Sequence, residues 1–416
     1  AEAGGHRDVR GEAGGRRARR AFRPLTPVRS RRSQGGGQQR ASGIARQQAT
    51  RRWPAAAETP RELTKLAGAG TAKRFSAARE QPRLKPVTLC MTMSDNENWA
   101  FPENAQPDPR ALRFDLDAAL DAVVMLRAEV PDDAFTASIL GTERLGSGVV
   151  IREDGLTLTI GYLITEAEDI WLTTNAGTAV QATVLAYDQA TGFGLVQPLG
   201  HLGAPALPRG SARQCSPGDD VLFACHGGRP HALKAKLVAR REFSGYWEYV
   251  LDDALFTAPA HPQWGGAAVI GMDGRLLGIG SLLVQEVIAD TPMQGNMVVP
   301  IDLLEPILPD LLRLGRPDRP PRPWLGMYTA EINGRLVVAG VAADGPAERA
   351  GVQPQDVVLE IAGQRPASLA DFFRRVWQLG PAGTTVPLKL SREGAVSHAE
   401  LESRDRNDFL KKPRLH

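Results

Sequence analysis

Gly146-Ser147-Gly148-Val149-Val150-Ile151-Arg152-Glu153-Asp154-Gly155 is a short apolar, β-branched run closed by an Asp-Gly turn signal. Runs of this kind recur along the chain, each broken by Gly, Pro or Asp. They are Gly148–Arg152 itself, then Thr157–Ile164, Ile170–Thr173, Ala182–Leu185, Gly194–Gln197, Val221–Cys225, Tyr249–Leu251, Ala267–Ile270 and Leu276–Ile279. Strand-like segments separated by turn residues at this spacing predict an all-β barrel or sandwich. Upstream, Leu116, Leu120, Val123, Val124 and Leu126 fall at helical spacing and predict a helix over Asp115–Val130, ended by Pro131. Downstream, the apolar segment Pro300–Leu314 predicts another helix.

Arg316-Pro317-Asp318-Arg319-Pro320-Pro321-Arg322-Pro323 has four prolines in eight residues. Such a stretch is a stiff, extended linker. It divides the β-rich region from a C-terminal module of about 80 residues, and the charged residues from Arg404 to His416 are expected to fray. The N-terminal side differs in kind. Residues 1–90 hold 21 Lys/Arg against six Asp/Glu, leaving 29 against 41 in residues 91–416. A segment so rich in Arg, Gly, Ala and Gln cannot bury enough apolar surface to offset its chain entropy, so disorder is expected. Its arginine runs (Arg16-Arg17, Arg19-Arg20, Arg31-Arg32, Arg51-Arg52) also suit nonspecific binding of nucleic acid or acidic lipid. An Arg-rich, acid-poor leader is also the composition of a transit peptide. The Met91 and Met93 that open a segment of different character leave room for 1–90 being outside the native coding sequence.

The 416 residues suggest two or three domains, and 42% hydrophobic content supports a sizeable core. Cys90, Cys215 and Cys225 form neither a disulfide framework nor a zinc pattern, and buried free thiols are the expectation for Cys215 and Cys225. No apolar run reaches the roughly 18 residues that span a membrane. Residues 1–30 lack the apolar core of a secretory signal, as do those after Met91 and Met93, which points to a cytoplasmic location.

Several segments resemble the HtrA-type (Deg-type) branch of the chymotrypsin-like serine proteases. They are Gly146–Ile151 with Asp154-Gly155, Ser216-Pro217-Gly218-Asp219-Asp220-Val221, and Gly265-Gly266-Ala267 followed by Met272-Asp273-Gly274-Arg275-Leu276-Leu277-Gly278-Ile279. In the C-terminal module, Trp324-Leu325-Gly326-Met327 is similar to the carboxylate-binding loop of a PDZ domain. Gly345–Val352, Gln355-Asp356-Val357-Val358 and Ser368-Leu369-Ala370-Asp371-Phe372 resemble the body of one. The resemblance covers roughly residues 110–400. It implies a mainly β protein: a chymotrypsin-like double six-stranded β-barrel over 105–313, a Pro-rich linker over 314–323, a PDZ domain over 324–403 and a charged tail over 404–416. A disordered basic segment over 1–92 precedes them. It also implies a homotrimer built through residues near 105–135, and a periplasmic location as the alternative to the cytoplasm.

The family's chemistry needs a serine nucleophile, a histidine base, an aspartate to orient it and an oxyanion hole. The resemblance places the histidine within Leu158-Thr159-Ile160-Gly161-Tyr162-Leu163, at Tyr162, and the aspartate within Gly192-Phe193-Gly194-Leu195-Val196, at Gly192. It places the serine within Pro262-Gln263-Trp264-Gly265-Gly266, at Trp264, with Pro262 where an oxyanion N–H would be donated. A phenol with a pKa near 10 is a poor base, glycine orients nothing, an indole has no nucleophilic atom, and proline has no N–H. Tyr162 and Trp264 facing each other would form a packed aromatic plug or, alternatively, a ligand cage.

Cys225 beside His226 does not make a catalytic pair, because neighbours on a strand point to opposite faces. A metal site from His226, His231 and His261 would need long-range convergence, and these histidines are expected to be solvated loop residues; no cofactor or metal is expected. The PDZ-like module keeps its peptide-binding residues better. Leu325, Gly326 and Met327 are expected to offer backbone N–H groups to a peptide's C-terminal carboxylate, with the peptide added as a strand. Leu325, Met327, Phe373 and Val376 are expected to line a pocket for its apolar last side chain, and Phe372 and Trp377 share that helix; Arg322 is read as a solvated linker residue. The expectation is a proteolytically inactive HtrA-like protein that binds polypeptide C-termini or unfolded segments as regulator, adaptor or holdase. The competing expectation is an active serine-type endopeptidase in protein quality control.

Overall fold

Val123–Glu129, expected to continue a helix, is instead the first strand of a barrel. The computed structural model describes residues 99–412 except 289–290, and the expectations for 1–92 lie outside these. Helix α1 covers only Leu116–Asp121, capped by the Asp115 carboxylate on the Ala118 N–H. The β-branched pair Val123-Val124 then opens strand β1 (Val123–Glu129), in which Val124, Leu126 and Ala128 turn inward while Arg127 and Glu129 face out. Two-residue alternation of burial, rather than the 3.6-residue period, governs this segment because it pairs on both sides within the barrel.

The first barrel comprises β1, β2 (Glu143–Val150), β3 (Thr157–Ile160), β4 (Asp169–Thr173), β5 (Ala179–Tyr187) and β6 (Phe193–Pro198), closed in the order β1-β2-β3-β6-β5-β4. The second comprises β7 (Asp220–Ala224), β8 (Ala232–Gly245), β9 (Tyr249–Ala258), β10 (Ala268–Gly271), β11 (Leu276–Ile288) and β12 (Thr291–Pro300), closed in the order β10-β11-β12-β9-β8-β7. Closure gives each strand a partner on both sides within its barrel. Strands β8 and β12 have no counterpart among the sequence-predicted runs. In β8 the outward positions carry Lys234, Lys236, Arg240 and Glu242, which hide the apolar face in a linear reading. Residues 300–314 form a 3₁₀ turn and a short helix (α3 by chain order, after the four-residue α2, Ala137–Leu140), the latter over Leu308–Leu314, rather than one continuous helix.

The barrels meet where the Ser147 N–H donates to the Gly265 carbonyl at 2.8 Å. Beyond Pro323 a separate five-stranded sheet forms: β13 (Met327–Ile332), β14 (Arg335–Val341), β15 (Val357–Ile361), β16 (Thr385–Arg392) and β17 (Ala395–Glu402), in that spatial order. After the single turn α4 (Pro346–Arg349), helix α5 (Leu369–Gln378) starts on an N-cap, with the Ser368 hydroxyl accepting the Asp371 N–H at 3.1 Å. It buries Phe372, Phe373 and Val376 against the sheet.

The linker and the tail are both fastened. Arg319 pairs with the buried Asp188 at 3.0 Å, and the Arg322 guanidinium, read as solvated, lies 4.1 Å over the Trp377 ring. Residues 404–412 do not fray. Arg404 bridges to Trp324, the Phe409 ring lies 4.7 Å from Trp324 and 6.0 Å from Phe135, and the Lys411 N–H donates to Glu166 at 2.8 Å. Phe409→Ala is expected to cost about 1–2 kcal/mol through the lost ring contacts. Urea denaturation monitored by tryptophan fluorescence checks it, and an unchanged midpoint would show that the tail does not hold the domains.

Candidate functional site

The turn after β3 (Gly161–Leu163) carries Tyr162, and Arg144 fixes it from below, donating to the Tyr162 and Thr165 carbonyls at 2.8 Å each. The same guanidinium donates to the Thr136 hydroxyl at 2.7 Å, and Glu166 accepts the Thr136 N–H at 2.7 Å. Burial lowers the Arg144 pKa to about 10, with the Glu166 charge opposing that shift. This buried network holds the turn whose side chain enters the junction of the two barrels.

There Tyr162 reaches across the junction. Its hydroxyl donates to the Ser281 carbonyl on β11 at 2.8 Å, and the Trp264 side chain acts on it from the second barrel. Burial pushes the phenol well above its ordinary pKa. Trp264 is 7% exposed and packs among Phe223, Leu237 and Val269 of the second barrel. Gly192 has φ +83°, and a Cβ there would meet the Tyr249 hydroxyl at 3.0 Å and Ile160 at 3.4 Å. That hydroxyl is itself engaged, donating to the Thr191 carbonyl at 2.7 Å. Asp188, four residues before Gly192, accepts the Thr191 N–H and hydroxyl and pairs with Arg319. Tyr162 and Gly192 line one cavity, and the Cβ direction of Gly192 meets Tyr249 and Ile160; neither the Tyr162 phenol nor the Trp264 indole is a nucleophile or a base at neutral pH.

Beside Tyr162 lies a cavity of about 230 Å³, lined in part by rings, among them Tyr162, Trp247, Tyr249 and Tyr328. His261, three residues before Trp264, is fully buried rather than solvated. It stacks on Phe223 and meets Trp99 and Phe101 edge-on. Its Nδ1 accepts the Gln263 N–H and its Nε2 donates to the His231 carbonyl at 3.0 Å, an arrangement that fixes a neutral ring. Burial lowers its pKa to about 4. His226 and His231 are half-buried as well. Cys225 donates to the Gln263 amide oxygen at 2.9 Å, and burial raises its thiol; Cys215 and Cys225 are both free. Among the described residues, no group of three His, Cys, Asp or Glu side chains is placed to hold a metal ion.

At the loop Trp324-Leu325-Gly326-Met327 the structure adds a feature that the sequence does not show. Leu325, Gly326, Met327, Phe373 and Val376 do come together, but Leu325, Met327, Phe373 and Val376 are at most 1% exposed. A carboxylate already faces the loop. Glu248, at the tip between β8 and β9, accepts the Leu325 N–H at 3.1 Å on either oxygen and the Met327 N–H at 3.2 Å, with a further backbone bond from Gly326. Two residues before it, the Tyr246 carbonyl accepts the Thr329 N–H at 3.0 Å. Val250, on β9, joins the apolar cluster of the C-terminal module. Arg374 on α5 pairs with Glu242 at 2.6 Å and with Asp252, while Asp253 pairs with Arg240. Glu248 is 8% exposed and its burial, opposed by the loop N–H groups, raises its pKa to about 7.

Residues 146–279 match the trypsin-like peptidase domain family and residues 323–402 match the PDZ domain family. This is an HtrA/DegS-like architecture, a trypsin-like domain followed by one PDZ domain. The chain is 25% identical over 249 residues to the serine endoprotease DegS of Haemophilus influenzae, covering 58% of this chain and 72% of that one. It is 26% identical over 269 residues to a probable periplasmic serine endoprotease, DegP-like, of Pseudomonas putida, covering 61% of this chain and 54% of the relative. The chain thus spans only about half the length of that DegP-like relative. A solved structure of the serine endoprotease from Yersinia pestis aligns with 71% of the HtrA-like chain and 99% of its own, with TM-score 0.43 and 22% identity. Within this architecture, sequence reasoning missed Tyr246, Glu248 and Val250. Nothing local marks them, because their partners lie 77 or more residues away in the chain for the carboxylate alone.

Proposed function

We propose that this HtrA-like chain does not hydrolyse peptides and that its PDZ domain binds polypeptide C-termini or unfolded segments, acting as regulator, adaptor or holdase. The observation that supports this reading is Tyr162, a phenol in place of a base, reaching across the barrel junction to the Ser281 carbonyl at 2.8 Å, with the buried Trp264 indole on the second barrel. By resemblance these two side chains stand at the positions of base and nucleophile, and Pro262, two residues before Trp264, has no N–H for an oxyanion. The competing reading, an active serine-type endopeptidase, is favoured by the likeness to serine endoproteases. The same likeness favours a periplasmic over a cytoplasmic location, and no helix among the described residues is long and apolar enough to cross a membrane. A homotrimer through residues 105–135 belongs to the same reading and is read out by sedimentation of the intact chain.

Incubation with casein and with a fluorophosphonate probe decides between the two activities. The expected result is no cleavage and no labelled serine. Labelling at a residue whose substitution abolishes both signals establishes the endopeptidase instead.

A further inference from the structure

The tip residues 246–248 satisfy the PDZ groove as a bound peptide does. A strand added to a sheet edge exchanges main-chain hydrogen bonds at every second residue, because alternate N–H groups face the same side. Met327 and Thr329 are such a pair on β13. The Met327 N–H reaches Glu248, and the Thr329 N–H reaches the Tyr246 carbonyl two residues earlier. Leu325 and Gly326 complete the cradle around a carboxylate, the group this loop is shaped to receive. The opposite wall of the groove is α5, and both β8 and β9 pack against it. Arg374 of α5 clamps the flanks of the tip through Glu242 and Asp252. Glu248 also holds a left-handed backbone, φ +61°, an unfavourable conformation for a residue with a side chain that persists where surrounding contacts impose it.

We infer that Tyr246-Trp247-Glu248 is an internal ligand of the PDZ domain, with the Glu248 side chain standing in for a C-terminal carboxylate, so that an incoming polypeptide C-terminus binds by displacing it. This rests on the peptide-binding reading above and names its regulation. The tip is tethered to the groove it fills, so it competes at an effective concentration of about millimolar. Weak or abundant C-termini are thereby excluded. A ligand must match the cradle with its terminal carboxylate and Val250's place with an apolar last side chain.

Fluorescein-labelled decapeptides ending in Val, Leu or Phe, with free or amidated C-termini, are titrated into the full chain, Glu248→Ala, Glu248→Gln and Arg374→Glu. Arg374→Glu loosens the clamp without touching the carboxylate cradle. The expected result is that free-carboxylate peptides bind Glu248→Ala and Arg374→Glu at least tenfold more tightly than the wild type, that Glu248→Gln, a permanently neutral acceptor of the same shape, stays closed and binds no more tightly than the wild type does at pH 5, and that amidated peptides bind none of them. Amide exchange at Leu325 and Met327 should be faster in Glu248→Ala and Arg374→Glu than in the wild type. Should Glu248→Ala fail to fold, Arg374→Glu carries the same comparison. Equal affinity of the wild type and the folded opening variants, with unchanged exchange, overturns the internal ligand while leaving the peptide-binding PDZ domain intact. Absence of binding to every folded variant overturns the peptide-binding reading and the inference with it.

Discussion

Gly266→Ala is expected to remove about 3 kcal/mol or more of stability, lowering the melting temperature by roughly 10 °C for a unit of this size. A Cβ at Gly266 would lie 1.9 Å from the Ser147 carbonyl oxygen and 2.5 Å from the Thr159 hydroxyl. Neither atom can retreat easily. The carbonyl already accepts the Thr159 hydroxyl at 2.7 Å, and Ser147 is main chain of β2. The residue also sits at φ +76°, which adds backbone strain to the clash. Gly177→Ala is the matched control: φ is +85° but nothing lies within 4 Å of the added carbon, so only about 1 kcal/mol is at stake. Thermal melts followed by circular dichroism separate the two. Melting of Gly266→Ala within 2 °C of the control would mean the close approach is absent. The Gly265-Gly266 pair thus has a purely architectural reason to be here, since it lets the loop of one barrel touch a strand of the other.

The second large effect is a dependence of peptide affinity on pH. Glu248 has a pKa of about 7 with the groove closed, against an ordinary 4.5 when the tip is free in water. A carboxyl whose pKa is higher in the closed state holds its proton more tightly there. Closure is therefore strongest below pH 4.5, weakens as pH rises towards 7, and is constant above. The whole difference is about 3 kcal/mol, on the order of a hundredfold. The Arg406 charge acts on Glu248 and works against the rise, and Arg316, Arg319, Arg322, Asp188 and Asp405 line the same cavity. Tyr246 and Tyr328 both have raised pKa values through burial and stay neutral across this range. Free-carboxylate peptides should accordingly bind the wild type more tightly at pH 8 than at pH 5, and this step should vanish in Glu248→Gln. A flat wild-type profile between those values would falsify the assignment of the step to Glu248.

Much of the scaffold was readable before any coordinates. Turn residues between short apolar runs mark most of the barrel strands, and Trp324–Met327 with Gly345–Val352 marks the C-terminal module. What failed did so for identifiable reasons. Val123–Glu129 reads as helix because its first residues happen to continue the spacing of Leu116 and Leu120, and only pairing with β2 and β4 decides otherwise. Strand β8 is masked by its charged outward face. His261 looks like a loop residue between Ala260 and Pro262, yet three aromatic rings enclose it. The assignment of Tyr162, Gly192 and Trp264 to triad positions rests on resemblance, whereas Tyr162 reaching across to Ser281 in the second barrel shows only in three dimensions. Glu248 was invisible, since a glutamate in a turn is ordinarily solvated, and its significance comes from the N–H groups of a different domain.

The buried path from Lys411 through Glu166, Thr136 and Arg144 to the Tyr162 carbonyl couples distant parts of the chain. Cutting the molecule into separate halves in the linker, after residue 323, would strip the Lys411 donor from the buried Glu166 carboxylate in the front half and take Phe135 away from the Trp324 ring in the back half. Measurements on isolated pieces would then describe two damaged proteins, and peptide affinities taken from the excised module would overstate what the intact chain permits.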